Sequence, residues 1–504
     1  MWSIELPEGT KAIGYKYLVD LYQLKVMGHH CWSYVSPKWE KRSLHYKDSD
    51  LTLFLYPPST RISENPFDHL EFALKHEGVN LLILKNILTL ISKEDLKAHV
   101  LSRPTGKYTR ILWYLFEKFS GNKIDLPDLD RGTYTPVLDP EKYYCSKGTR
   151  SSRHRVLDNL LGSIEFAPTV RRTPQLVKYE EKQIGKIAHQ LTEGYDPLIL
   201  ARAMRYLYTK ETMSSWEIER EQPDNARLAK FVSLLHKADA IGPLSEQSLV
   251  NLQKSIVDPR FALNTYRDFQ NYIGEEPGLR EMILHFIPPR PCDVSALMQN
   301  LLHTYSLMEK SSLNAVVAAS VLSFGFVFIH PFEDGNGRMH RFLIHYVLAR
   351  LKFTPEGIVF PTSAAIVRNM IRYDKVLETF SKPLMERIFQ YTINDDGEMV
   401  VQQDTKDYYR YIDFTPIAEY LFECVEKTIT TDFKEELDFL AVYDKIKRLC
   451  KEVVDMPDQK IDLFIKCVRQ NGGALSARKQ ESHFKMLTSS EIEMMQKIIN
   501  QSNF

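Results

Sequence analysis

Cysteine is scarce: Cys31, Cys145, Cys292, Cys424, Cys450 and Cys467 are the only six in 504 residues, and no two form a CxxC pair. That spacing excludes a zinc-ribbon or thioredoxin-like motif, and a chain of this length needs no disulfide staples, so a reducing cytoplasm is the expected location. Charge of one sign is missing too. Lysine plus arginine and aspartate plus glutamate each total 65, so no global field draws the chain to nucleic acid or to an anionic membrane. The longest apolar stretch, Ala315 to Ile329, is broken by Ser320 and Ser323 and falls short of the ~20 residues that span a bilayer. The opening residues, MWSIELPEGTKAIGYK, lack the apolar region of a secretory signal. A soluble protein with no membrane partner is expected. No GxxxxGK[ST] occurs, which removes a P-loop as the means of binding ATP.

What remains is ordinary globular composition, 44% hydrophobic and 26% charged, which argues against disorder. The length exceeds what a single core sustains and predicts three domains. Residues 1–130 combine a strand-like run, Leu51 to Tyr56, with helical patterns such as LLILKNILTLI at 81–91, and predict an α+β module of unassigned role. Residues 131–173 are rich in proline, arginine and serine and form a linker or an extended wrapping segment. From 174 to 380 apolar positions recur at three- and four-residue spacing, as in LILARAMRYLY at 198–208, predicting a helical core. Residues 381–504 alternate helical runs with breaks such as Gly472 and Gly473 and predict a helical C-terminal domain. The fold class expected is mainly α.

One twelve-residue stretch carries chemistry: His330, Pro331, Phe332, Glu333, Asp334, Gly335, Asn336, Gly337, Arg338, Met339, His340 and Arg341. It follows the run AVVAASVLSFGFVFI, whose length and small residues suit a helix buried in a core. Pro331 cannot continue that helix normally, and the G-N-G lets the chain curl with positive φ. A second helix, RMHRFLIHYVLARL, starts near Gly337, so unpaired amides of the loop and of its first turn converge on one spot that favours an anion. Arg338 and Arg341, three apart, share a face and add planar donors that suit phosphate. Asp334 beside this cradle would repel phosphate unless a cation intervenes, and magnesium takes such a carboxylate together with phosphate oxygens. His330 stands at the lip, with an ordinary pKa of about 6.5 that suits taking a hydroxyl proton near neutrality.

These residues resemble the signature of the Fic family, HxFx(D/E)GNGRxxR, at every specified position. The resemblance implies a Fic-type helical core with a β-hairpin flap, with ATP as co-substrate and Mg2+ as cofactor. It makes His330 the general base, Asp334 the metal ligand, Gly335, Asn336 and Gly337 the phosphate loop, Arg338 and Arg341 phosphate ligands, and Phe332 an anchor in the core. Upstream, YRDFQNYIGEEPGLREMILHFIPPRP looks like the family's flap: extended runs Tyr272 to Gly274 and Ile283 to Ile287 flank a Pro277-Gly278 turn. Tyr272, Ile273 and Gly274 would dock a target segment through main-chain hydrogen bonds. Downstream, VRNMIRYDKVL resembles the helix that closes the nucleotide pocket, with Tyr373 facing the base.

The activity implied is transfer of AMP from ATP to a Ser, Thr or Tyr hydroxyl of a protein, the chain itself being one candidate acceptor. Alternatives are a reversed or different donor, giving phosphate, UMP or phosphocholine transfer, or a binding and regulatory module with weak catalysis whose N-terminal part recognises a partner or DNA. The second arginine and the intact GNGR favour the AMP orientation. Ser215 and Glu219 match the family's inhibitory pattern [S/T]xxxE[G/N], except that Arg220 replaces the small residue. On one helix they would share a face and let Glu219 pair with Arg341 in the γ-phosphate's place. Ser489 and Glu493 repeat the spacing and form the rival site. Bland readings cover the rest: His340 and His345 as surface or packing residues, NDDGE at 394–398 as a solvated turn rather than a calcium loop, and Lys147, Arg150, Arg153 and Arg155 as a solvated linker.

Overall fold

Helices α1 (Pro291–Lys310), α2 (Ala315–Ile329) and α3 (Asn336–Arg350) are the stack on which the site is built. Every residue of α2 except Val327 is buried, as its composition demands. Its two hydroxyls do not spoil that burial, because Ser320 and Ser323 donate to the carbonyls of Val316 and Ala319 at 2.8 and 2.6 Å and leave no polar group unsatisfied. Asn314 caps the start, its side chain accepting from the amides of Val316 and Val317. Gly325 lets α1 approach closely: a Cβ there would stand 2.9 Å from a Leu301 methyl. On another side Phe328 packs 4.5 Å from Phe380 of α4 (Met370–Met385). Burial of each such phenyl contributes about 1.5–3 kcal/mol.

The computed structural model describes residues 6, 8–38, 41–46, 51–238, 240–278, 281–388, 390–394 and 396–502. They divide into two compact units, Met1–Lys182 with Ala229–Leu351 and Asn369–Phe422, and Gln183–Leu228 with Lys352–Arg368 and Glu423–Phe504. Among the described residues no helix is long and apolar enough to cross a membrane. As the sequence suggests, the molecule is mainly helical, with an α+β module before the core.

In the first unit the N-terminal module holds a four-stranded sheet in the spatial order Lys11–Ile13, Cys31–Val35, Leu51–Tyr56, Arg42–Tyr46. The middle pair is parallel and the outer pairs antiparallel. The next segment forms a small sheet from Thr135–Pro136, Val156–Asp158 and Thr149–Ser151. It then runs along the core, the Ala167 amide donating to Arg410 and the Thr304 hydroxyl of α1 to Phe166. The expected solvated character of Arg153 is wrong. Its guanidinium is nearly buried against Glu117, and donates to the carbonyls of Ile124 and Leu126 as well. The flap also differs from expectation. Strand β1 (Ile273–Gly278) pairs antiparallel with β2 (Glu281–Phe286), so Pro277 and Gly278 end a strand, and the connection, 279–280, lies outside the described residues. NDDGE is the turn of a hairpin between Tyr391–Ile393 and Met399–Val401, closed by the Glu398 amide on Asn394 at 2.7 Å; its Asp395 is outside the described residues.

The second unit is helical. Helix Pro197–Ile218 is fastened to helix Lys434–Val453 by Arg202 on Asp444 at 2.5 Å and by the Tyr195 hydroxyl near Asp438 at 2.6 Å. Just before that second helix the chain makes a π-helical turn, Thr428–Phe433, whose buried Asp432 is gripped by Lys210 and by both terminal nitrogens of Arg368. Glu211, fully buried, accepts from the amide and hydroxyl of Ser363. Ser215 is buried, and Glu219, four residues on, is the exposed cap residue after the last helical position. Arg220 takes the left-handed conformation, φ 57°, which explains why a small residue suits that place in the family pattern. Ser489 and Glu493 are exposed on the last helix.

Burial shifts several titrating groups in the N-terminal module, His29 and His69 down to about 4 and Glu77 up, and the contribution of Glu77 can be isolated. Glu77 is 2% exposed, accepts the Tyr15 amide at 2.8 Å, and its carboxyl is pushed up to about 7 by desolvation. The folded chain therefore holds a proton there between about 4.5 and about 7 that the unfolded chain has released, and stability falls as pH rises through that window. Glu77→Gln should remove this slope. The wild-type melting midpoint minus that of the variant, taken at intervals from about pH 5 to about pH 7.5, should fall with pH, and parallel curves would refute the assignment.

Candidate active site

The loop between α2 and α3 starts with a backbone reversal. His330 caps α2 in the left-handed region, φ 52° and ψ 61°, where a residue bearing a Cβ costs about 1–2 kcal/mol. Its amide still donates to Phe326, so the helix is complete up to the ring it delivers. The Nδ1 atom lies 3.1 Å from the Val327 carbonyl. A carbonyl only accepts, so Nδ1 carries the hydrogen, and the lone pair of the neutral ring falls on Nε2.

Phe332 then pins the loop. It is fully buried, its ring 5.6 Å from Tyr266 and 6.2 Å from Phe326, as the sequence leads one to expect. Asn336 closes the turn reciprocally: its Oδ1 accepts the Phe332 amide at 3.0 Å, and its Nδ2 donates to the Phe332 carbonyl at 2.8 Å. Both ends of that side chain are thus engaged by the loop itself, and what Asn336 can offer a phosphate is its backbone amide. Gly335 has φ 87°, and a Cβ on it would come within 2.5 Å of a Val257 methyl, so no other residue fits.

Gly335 is also the position preceding α3, and among the described residues no side chain caps this helix. The first amides of α3 and the positive end of its dipole are left for an anion. Arg338 lies on the first turn of this helix and Arg341 on the second, both buried. Arg338 Nη2 stands 2.7 Å from Asp334 Oδ1, an ion pair with the arginine 3% and the aspartate 42% exposed. The residues expected to hold phosphate and metal are therefore paired with each other. Asp334 nevertheless remains reachable, and a partly exposed carboxylate beside a row of phosphate donors fits the magnesium habit of one protein oxygen plus phosphate and water.

Behind the cradle the side chains are packing. His340 is fully buried, edge-on to Phe324 at 4.4 Å, and the Tyr373 ring lies 6.4 Å away, itself 5% exposed. His345 is buried as well. On the flap, Gly274 faces Leu284 with no room for a Cβ, which would meet the Ile283 carbonyl at 2.8 Å. Ile273 and Ile283 are 41% and 49% exposed. Tyr272 donates to the Gly397 carbonyl at 3.3 Å.

Three polar residues support this site without any sequence signal. Gln253, fully buried, donates to the carbonyls of Asp334 and Phe261, both at 3.4 Å, and accepts from Leu263. Asn271 donates to the Phe332 carbonyl at 3.2 Å. Arg267 is buried nearby. All three hold backbone, and backbone partners leave no trace in residue type.

Known proteins resemble this region. Residues 243–348 match the Fic/DOC family. A protein adenylyltransferase Fic of Drosophila virilis is 41% identical over 69 residues, 14% of this chain and 14% of that protein. Its Drosophila melanogaster counterpart is 27% identical over 183 residues, 35% and 34% of the two chains. This chain thus spans about a third or less of the length of these relatives. Among solved structures, a Fic family protein from Desulfovibrio desulfuricans G20 is similar at 16% identity and a TM-score of 0.37, over 64% of this chain and 84% of that one. The segment that matches the Fic/DOC family, 243–348, contains the flap, the loop and both arginines.

Proposed function

We propose that this domain transfers AMP from ATP to a hydroxyl side chain of a protein in the cytoplasm, with magnesium as cofactor. The observation that carries the reading is the joining, by one short loop, of a histidine whose lone pair is directed to Nε2 and an uncapped helix start lined by two buried arginines. The relatives' name, protein adenylyltransferase, agrees with it.

In this reading Nε2 of His330 takes the proton of a serine, threonine or tyrosine hydroxyl. The oxygen bonds to the α-phosphorus as the bond to the bridging oxygen breaks, and pyrophosphate leaves. The amides of Asn336 and Gly337, with Arg338 and Arg341, hold the phosphates, joined by the Gly335 amide once it gives up Asp334 Oδ1, to which it donates at 2.5 Å, and Tyr373 backs the base side of the pocket. Magnesium, when bound at Asp334, neutralises phosphate charge. Arg338 exchanges its carboxylate partner, which is partly exposed, for phosphate oxygens and so stays paired. The strand beginning at Ile273 aligns the target, with Tyr272 and Gly274 at its root. Positioning and preorganised charge supply most of the rate gain.

His330→Ala should abolish transfer of label from ATP labelled at the α-phosphate into lysate protein or the chain itself, while ATP affinity stays within about twofold. A parallel reaction with the γ-phosphate labelled separates AMP transfer from phosphate transfer, and label arriving only from that position would overturn the donor orientation. Replacing Asp334 by Ala should move the magnesium titration of activity to higher concentration and weaken productive ATP binding with it; an unchanged titration curve removes the carboxylate from the metal site.

The same reading includes self-restraint through Glu219, which stands at the end of helix Pro197–Ile218. Glu219→Gly should raise self-modification or target modification by about 100-fold, the scale on which misplaced reacting groups act, whereas Glu493→Gly should change little. Equal rates for wild type and Glu219→Gly at saturating ATP would take the inhibitory role away from this residue.

A further inference from the structure

Arg267 is 2% exposed, and among the described residues no carboxylate pairs with it. A buried cation without a counter-ion is costly unless its donors are all used. Here they are used on main-chain carbonyls. Nε donates to His330 at 2.8 Å, Nη1 to Phe269 at 2.7 Å, and Nη2 to Pro289 at 2.6 Å and to Ile329 at 3.5 Å. The Arg267 amide completes the set by donating to Pro331 at 2.8 Å. Burial lowers its pKa, to about 10, which still leaves it charged at neutral pH.

These carbonyls come from three places that the chain keeps apart. Phe269 precedes β1 and Pro289 follows β2, so they are the two roots of the flap; Ile329 and His330 are the end of α2, where helix carbonyls lack partners and the dipole is negative. One planar guanidinium thus ties both roots of the flap to the carbonyl of the histidine itself. The nucleotide half of the loop is held by other residues, Asn336 on Phe332 and Gln253 on Asp334.

We infer that Arg267 is a positioning residue, which sets the placement of the His330 ring relative to the flap that docks the target, and therefore governs attack by the hydroxyl without governing ATP binding. The inference rests on the reading of His330 as the base. Lysine cannot substitute, because an ammonium lacks the planar fork needed to reach carbonyls on three separate segments. A mere scaffold role would lower ATP binding and transfer together.

The test uses the full chain with Arg267→Lys and Arg267→Gln. Turnover at saturating ATP should fall about 100-fold, the usual scale for misplaced reacting groups, with ATP affinity within about twofold of wild type. Hydrogen exchange should quicken together in 268–274, 284–290 and 327–332 and stay unchanged in the N-terminal sheet. Wild-type turnover in either folded variant overturns the inference, and so does a loss of ATP affinity by the same factor as turnover. Should neither variant fold, exchange in the wild type decides: the three segments must open as one cooperative unit, and independent opening refutes the node. A wild-type chain that transfers no label from ATP defeats the base assignment instead, while the exchange pattern still judges Arg267.

Discussion

The side-chain amide of Asn336 and the backbone of Phe332 close on each other through two hydrogen bonds, and with Phe332 sunk among aromatic rings this closure fixes a loop that otherwise consists of glycine and charge. Because the turn is shut from inside, the chain can leave α2 through a left-handed histidine and enter α3 with no capping side chain. Without it, amides and arginines would have to be gathered at the moment of binding, at a cost in conformational entropy of about 1–2 kcal/mol for each residue fixed.

The cradle's charge is arranged for exchange. Arg338 is buried and cannot go without a partner, and Asp334 supplies one while remaining partly in solvent. A buried guanidinium is costly to leave unpaired, but phosphate oxygens that replace the carboxylate keep it paired throughout. The arginine is then never left bare, and the aspartate is released at the point where the proposed chemistry needs a metal ligand.

Much of this was legible because the chemistry is contiguous. His330 to Arg341 fall in one stretch, and the buried helix before them announces itself by composition. The N-terminal module and the helical tail follow from periodicity in the same way. The burial of Arg153 is not legible because its partners, Glu117 and the carbonyls of Ile124 and Leu126, are remote in sequence and two of them belong to the main chain. A proline followed by a glycine signals a turn, yet in the flap the pair continues the strand. Spacing carries no mark of a helix boundary, and Glu219 falls on the cap. Asn336 fits its motif position, but its side chain's engagement with Phe332 appears only in three dimensions.

The π-helical turn at Thr428–Phe433 has a bearing on how the second unit can vary. A regular helix advances about 100° per residue, and a π-turn accommodates one extra residue without breaking the helix. That insertion points Asp432 at Lys210 and Arg368 while helix Lys434–Val453 keeps the azimuth at which Asp438 and Asp444 meet Tyr195 and Arg202. Deleting a single residue there would return the turn to α-helix and leave the downstream azimuth in place, while Asp432 would lose its aim at Lys210 and Arg368, so the chain's length at this point can vary by one residue without disturbing how the two helices meet.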